Sequence, residues 1–287
     1  MVKKCLRALL LLILLLPLFY GGYYCFFPDV ARLKKWNPPQ TSFMEYRLRQ
    51  WEQQGKKKKI QQVWVRLPQI SPYSIKAVII AEDDKFWSHE GFDFEAMQKA
   101  LAKDIKKKKF RVGGSTISQQ LVKNLYLLPE KSIIRKIKEA IITWRIERQL
   151  SKKRIIELYL NVAEWGDGLF GIEAAARHYY GKAALNLTAS ESARLAVMLP
   201  NPLKYQRLEA SRYLENRSAA IYRIMLKRGI VIPEYEALMR ETDDATPHAA
   251  PGEGQGNVHD SVTGTAGLDA GNSGRQEEGP EKSNEPR

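Results

Sequence analysis

Cysteine is nearly missing from this chain of 287 residues. The only two, Cys5 and Cys25, fall within the first 27 positions. Everything after residue 27 is therefore without a disulfide framework and without a thiolate metal site. Strand-like runs are too few for a large sheet, and no internal repeat is evident. The glycine pair Gly113-Gly114 lacks the Gly-x4-Gly-Lys spacing of a nucleotide-binding P-loop. There are four histidines in all, and an isolated one such as His89 has a supporting role as its simplest reading.

What is present is unevenly distributed. Ala8 to Phe27 is an apolar run of 20 residues without a charge. At about 1.5 Å per residue, a helix of that length spans ~30 Å, the thickness of a bilayer's hydrocarbon core. Lys3, Lys4 and Arg7 precede it, which places residues 1–7 in the cytoplasm and the rest of the chain outside. A cleaved signal peptide is the alternative. No small-x-small cleavage site follows the run, and Tyr20, Tyr23, Tyr24, Phe26 and Phe27 suit an outer interfacial belt, so an uncleaved anchor over 8–27 is expected.

The net charge is +14, with a further asymmetry. From Asp243 onward nine acids face three bases, a balance of −6, so the remainder stands at +20. A body this basic beside a membrane points to anionic lipid or a phosphate-bearing substrate. Nucleic acid is excluded as a partner by the outward orientation. Residues 242–287 are rich in Gly, Pro, Ser, Asn and Glu with almost no large apolar side chain, the composition of a disordered tail.

Between anchor and tail, residues 28–59 read as a connector, with Pro28, Pro38, Pro39, Gly55 and the run Lys56 to Lys59. Residues 60–241 form the folded domain. Helical periodicity predicts helices over 73–82, 93–106, 116–128, 132–150, 152–161, 170–180, 189–199, 209–228 and 233–241. Thr116-x-x-Gln119 and Thr188-x-x-Glu191 read as capping boxes, Pro200 and Pro202 end a helix, and Gly229 sits where a C-terminal cap belongs. The domain is mainly α.

Two glutamates stand in contrasting company. Glu82 follows the apolar run Ala77 to Ala81 and opens the acidic triplet Glu82-Asp83-Asp84. One turn beyond Val78 and Ile79, its carboxyl sits at the edge of an apolar wall, which raises its basicity and suits a general base. A helix end with solvated acids is the plain alternative. Glu139 is surrounded by Lys123, Lys131, Arg135, Lys136 and Lys138, more cations than one carboxylate needs and a fit to pyrophosphate. Arg135 and Glu139 are also i, i+4, so a simple salt bridge worth ~0.3–0.5 kcal/mol explains that pair equally well. Between them, Gly113 to Asn124 supplies flexible backbone before a helix start, an anion-binding arrangement. On that helix Ile117, Leu121, Leu125 and Leu128 form the expected buried stripe, leaving Gln120, Lys123 and Asn124 on a polar side. Lys106 to Lys109 with Arg111, flanked by Ile105 and Phe110, suit a bilayer surface or a solvated loop.

Five blocks in order carry a resemblance: EDDKFWSHEGFD (82–93), GGSTISQQLVKN (113–124), RKIKEAIITWRIE (135–147), KKRIIELYLNVAEWG (152–166) and RLAVMLPNP (194–202), with GIEAAARHYYGK (171–182) beside them. Over residues 60–230 the chain resembles glycosyltransferase family 51, the peptidoglycan glycosyltransferases. The resemblance implies a lysozyme-like, mostly helical domain with a membrane-facing flap near 95–112. It implies polymerisation of lipid II into glycan strands: Glu82 takes the proton of the acceptor's 4-hydroxyl, which attacks the anomeric carbon of the lipid-pyrophosphate-linked donor with inversion. Glu139 organises the leaving pyrophosphate, directly or through a divalent cation (Mg or Mn). Ser115, Gln119, Gln120, Lys123, Lys131, Arg135 and Lys138 fall on positions implied to contact sugars or phosphates. Asp83, Phe86, His89 and Asn124 are implied as supporting residues. Lys131 stands where many relatives have arginine, keeping the charge but losing the planar fork.

No Ser-x-x-Lys or Lys-Thr-Gly follows the anchor, so the monofunctional branch without transpeptidase activity is expected. Implied partners are lipid II, lipid-linked glycan, the inner membrane and cell-wall synthesis proteins. Two alternatives share the same residues: a hydrolase using paired carboxylates, and a non-catalytic membrane-bound scaffold.

Overall fold

Ile155, Ile156, Leu158, Tyr159, Leu160 and Val162 gather on one broad face of the segment 152–162, opposite Lys153, Arg154 and Glu157, and a helix with so wide an apolar face packs against several neighbours. In the computed structural model that segment is the central helix. The structure describes residues 15, 22–23, 27–107, 114–130, 132–206 and 211–232, excluding the side chains of 101 and 103–107. Ten α-helices stand among the described residues: α1 Ser42–Gln53, α2 Pro72–Glu82, α3 Phe94–Lys107, α4 Ile117–Tyr126, α5 Ile133–Gln149, α6 Lys152–Val162, α7 Ile172–Tyr180, α8 Ala189–Met198, α9 Pro202–Gln206 and α10 Arg212–Lys227. The central helix is α6, packed against α4, α5 and α7.

Local chemistry sets the helix starts. Ser151 caps α6 by accepting from the Arg154 amide, and Ser132 caps α5 in the same way through Arg135. Both expected capping boxes form, Thr116 with Gln119 at α4 and Thr188 with Glu191 at α8. Gly229 adopts φ +63° just past the end of α10, as a left-handed cap requires.

One small sheet is present, with β1 (Gln61–Gln62) parallel to β3 (Leu169–Phe170), and β3 antiparallel to β2 (Glu164–Gly166). It holds the chain entering α2 to the segment leaving α6. The buried Asn161 side chain reinforces this junction: it accepts from the Val65 amide and donates to the Val65 carbonyl, each at 2.9 Å.

Helix α2 carries Glu82 as its last residue and is gripped from two sides by α8 and α10. Small residues allow the close approach to α8. Ser74 and Ser192 share a 2.7 Å hydrogen bond, and Ala77, Ala189, Ala193 and Ala196 are fully buried.

Two expectations need adjustment. The segment read as connector contains α1, started by a Thr41 cap and packed on α4 with Met44 and Trp51 buried. Leu128 does not extend the buried stripe of α4, because the helix stops at Tyr126 and Leu128 is 38% exposed. Helix α5 buries the face with Ile142 and Ile146, while Ile133, Ile137 and Trp144 face outward. Among the described residues no helix is long and apolar enough to cross a membrane. Nearly all of the expected anchor over 8–27, part of the expected flap, the helix 233–241, Lys131 and the tail lie outside the described residues.

Candidate active site

Helix α2 is apolar to its last turn, with Val78 and Ile79 buried, and it delivers Glu82 at the point where the chain turns away. Burial there raises the carboxyl's pKa above its ordinary 4.5, opposed by a hydrogen bond from Gln120 and by the positive field of Lys123. The Gln120 Nε2 donates to Glu82 Oε2 at 2.6 Å, and the Tyr159 hydroxyl donates to Gln120 Oε1 at 3.0 Å. Three helices, α2, α4 and α6, thus fix one carboxylate oxygen.

Asp83 turns the other way, into the protein. Its carboxylate accepts from the Ile117 amide at the start of α4 and from His89 Nε2, both at 2.9 Å. The Gly91 amide donates to His89 Nδ1 at 3.0 Å, so the ring proton sits on Nε2 and points at Asp83. Thr116 closes the circuit by donating to the Gly91 carbonyl at 2.7 Å. Phe86 is fully buried beneath this loop, with the Lys152 ammonium 4.7 Å from its ring centre. Asp83, Phe86 and His89 hold the Glu82 loop to the N-terminus of α4.

Glu139 is buried on α5, and both of its oxygens are engaged. Arg135 donates to Oε2 at 2.7 Å, and Lys136 donates to Oε1. Lys136 also reaches Ser115 Oγ at 3.4 Å, connecting α5 to the segment before α4. Lys123 is half-buried and feels the charge of both carboxylates. Burial lowers its pKa from the ordinary 10.5, and the negative fields of Glu139 and then Glu82 oppose that shift.

The other site candidates have different surroundings. Gln119 is buried and its Oε1 accepts from the Thr116 amide in the capping box, so it shapes the α4 terminus. Lys138 lines a separate cavity beside Tyr126 and Ile142. Lys136, three residues before Glu139, takes the place beside that carboxylate. Helical geometry already favours this, since residues at i+3 share a face and adjacent residues do not. Asn124 lines a cavity of about 350 Å³ with Lys123, Tyr159 and Asn201, and an Arg47–Glu164 pair at 2.7 Å forms part of its wall. Tyr159 and the Arg47–Glu164 pair escape sequence reasoning because their partners lie 39 and 117 residues away. Glu82 lines another cavity, of about 230 Å³, with Asp84, Lys85, Asp93, Gly114 and Thr116.

The residues around Glu139 do not make a protein-held site for a divalent cation. Its oxygens already accept from two cations, and no group of three or more metal-ligating side chains occurs among the described residues. The cluster is a fit to phosphate oxygens instead.

A partly shielded carboxylate with a raised pKa at Glu82 and a cluster of cations around Glu139, both acting on the half-buried Lys123, suit transfer chemistry on an anionic substrate. Comparison with known proteins gives the particular family. A family model described as Transglycosylase matches residues 49–226, more than half of the chain. The chain belongs to the transglycosylase family. It is 52% identical over 185 residues to the biosynthetic peptidoglycan transglycosylase of Dechloromonas aromatica (strain RCB), covering 64% of this chain and 80% of that protein. It is 44% identical over 221 residues to the protein of the same name from Methylobacillus flagellatus (strain ATCC 51484 / DSM 6875 / VKM B-1610 / KT), covering 77% and 96%.

Proposed function

We propose that this chain polymerises lipid II, with Glu82 as general base and the Lys123–Arg135–Lys136–Glu139 cluster as the pyrophosphate cradle. It is a peptidoglycan glycosyltransferase of cell-wall synthesis. The observation that supports the site assignment is the pair of held carboxylates: Gln120 aims Glu82, and Arg135 and Lys136 clamp the buried Glu139.

In this reading the acceptor's 4-hydroxyl loses its proton to Glu82, and its oxygen attacks the donor's anomeric carbon from the face opposite the leaving group. The bond from that carbon to the pyrophosphate oxygen breaks, with inversion. Burial keeps Glu82 basic enough to receive the proton, and Gln120 aims it. Negative charge grows on the departing pyrophosphate, where Arg135 and Lys136 donate and Lys123 adds a third positive charge. Glu139 holds Arg135 and Lys136 in place, so little reorganisation is needed as that charge develops. Ser115 at the mouth of α4 lies beside the same cluster.

The run 8–27 serves as a single-pass anchor in the inner membrane, with residues 1–7 cytoplasmic and the catalytic domain on the outer side, where lipid-linked substrate is reached without leaving the bilayer. Residues near 95–112 form the membrane-facing flap, 242–287 form the acidic tail, and cell-wall synthesis proteins are the expected protein partners. The product is uncross-linked glycan.

The test is to incubate the full-length protein with lipid II, and separately with finished glycan strands. Polymer from lipid II, at a rate reduced at least ~10²-fold by Glu82→Gln, is expected. Shortened strands without polymer would identify a hydrolase, and an active Glu82→Gln variant would remove the general base.

A further inference from the structure

A group of tyrosines stands apart from the two glutamates, and the reaction chemistry above uses none of them. Tyr179 and Tyr180 at the end of α7, Arg194 and Met198 on α8, and Leu214 on α10 line a cavity of about 330 Å³. Tyr213, next to Leu214 in the chain, stacks on Tyr205 of α9 with ring centres 5.6 Å apart and planes within 9° of parallel. Tyr213 is 56% exposed.

One partition separates this cavity from the one beside Lys123. Met198 lines the first, and Leu199, the next residue, lines the second. On β2, Glu164 lines the Lys123 cavity, while the neighbouring Trp165 carbonyl accepts from the Tyr179 hydroxyl at 2.9 Å. Helix α9 completes the link: Pro202 and Leu203 line the Lys123 cavity, and Tyr205 carries the stacked pair. That helix has five residues, a length of about 7.5 Å. Gly166 lets the partition close tightly, since a Cβ there would lie 3.0 Å from Gln206 Oε1 of α9 and 3.0 Å from the Tyr179 hydroxyl oxygen. The rings are thus held a short, fixed distance from the Lys123 cavity.

We propose that this cavity and its stacked tyrosines are a remote subsite for the older sugars of the growing glycan. The inference rests on the function proposed above, in which the donor's pyrophosphate sits at Lys123 and its sugars extend away from it. A sugar ring has an apolar C–H face and a rim of hydroxyls. Tyrosine matches both, with a flat apolar ring and one polar atom, and it loses little rotamer freedom on binding. Arg194 brings five N–H donors to the same wall. Continuity through α9 favours the donor's own strand over a separate glycan. A donor several units long spans both cavities, whereas a single unit occupies only the one at Lys123. The subsite therefore favours lengthening a strand over starting one.

The experiment uses the full-length protein in vesicles, with lipid II as the common acceptor. Two donors are compared: lipid II and a preformed lipid-linked strand several units long, each with its terminal 4-hydroxyl capped so that it acts only as donor. The ratio of kcat/KM for the long donor to that for the short one should fall about tenfold in Tyr213→Ala and in Tyr180→Ala, the loss typical of truncating an aromatic anchor. Tyr213→Phe keeps the ring and should keep the ratio. A ratio is unaffected by any fraction of a variant that fails to fold. An unchanged ratio in the alanine variants, or an equal fall for both donors, overturns the subsite. Lipid-free glycan fragments that bind at Tyr213 while the ratio stays unchanged would assign the rings to finished wall glycan, and that overturns it as well. A wild-type protein that extends neither donor faults the proposed function, on which the subsite depends.

Discussion

Gln120 stands between Tyr159 and Glu82, taking a hydrogen bond from the first at 3.0 Å and giving one to the second at 2.6 Å. A residue from the middle of the chain is thus aimed by the central helix at the carboxylate that ends α2. The amide orients that carboxylate and favours its charged form, against the burial that favours the neutral one.

The first prediction concerns pH. Glu82 works as a base only when unprotonated, so activity rises as pH climbs through its raised pKa. Gln120→Ala removes the strongest influence lowering that pKa. The acidic limb of the kcat/KM profile should move to higher pH, and kcat at the plateau should fall about tenfold through lost aim. A limb that stays in place means Gln120 does not act on Glu82.

Linkage gives a second check on the same carboxyl. Its folded-state pKa lies above the unfolded 4.5, so ionisation is penalised in the folded protein. The penalty is absent below pH 4.5, where both states hold the proton, and grows as pH rises toward the folded value. Glu82→Gln should therefore melt higher than wild type at neutral pH, with the difference shrinking in acid. A variant that melts lower at neutral pH contradicts the burial argument.

Lys136 and Lys138 should separate in kinetics. Lys136 donates to Glu139 and Ser115, so Lys136→Ala should reduce kcat/KM on lipid-linked substrate by about 10- to 100-fold, the range for one hydrogen bond to a charged group. Lys138→Ala removes a cation one helical step away, on the other cavity, and should cost several-fold less. Equal losses would mean that the pyrophosphate spans both positions.

Asp83 is predicted to be a stability residue. Asp83→Ala leaves the Ile117 amide and the His89 ring without their acceptor, in a buried position. The cost should be about 3 kcal/mol, measured by denaturant unfolding. A loss below ~1 kcal/mol would mean that water replaces the carboxylate.

Gly91 holds the same loop through its backbone. It adopts φ +92°, and a Cβ there would lie 2.9 Å from Glu147 Cγ and 3.0 Å from Thr143 Cγ2. Glu147 has little freedom to retreat, being tied to Ser118 and Lys152. Gly91→Ala should destabilise by about 2–3 kcal/mol in thermal or denaturant melts and disturb the His89–Asp83 pair.

Much of the fold was legible because its causes are local. The capping boxes at Thr116 and Thr188 join residues three apart, and the apolar periodicity of residues 152–161 marks a helix whatever it packs against. Helix α1 was obscured by prolines before it and lysines after it, although Met44 and Trp51 at spacing seven were its signal. The outward isoleucines of α5 could not be told from core residues, since apolar periodicity does not say which apolar face meets a neighbour.

The amino-acid order alone therefore determined the helical class, the helix starts and the two glutamates in opposite company, since each depends on residues within a turn or two. Tertiary structure decided that Tyr159 aims Gln120 at Glu82, that Lys136 joins Glu139 to Ser115, and that Ile134 and Lys138 line one cavity. These relationships depend on helices far apart in the chain packing at one angle and register, which spacing along the sequence does not encode.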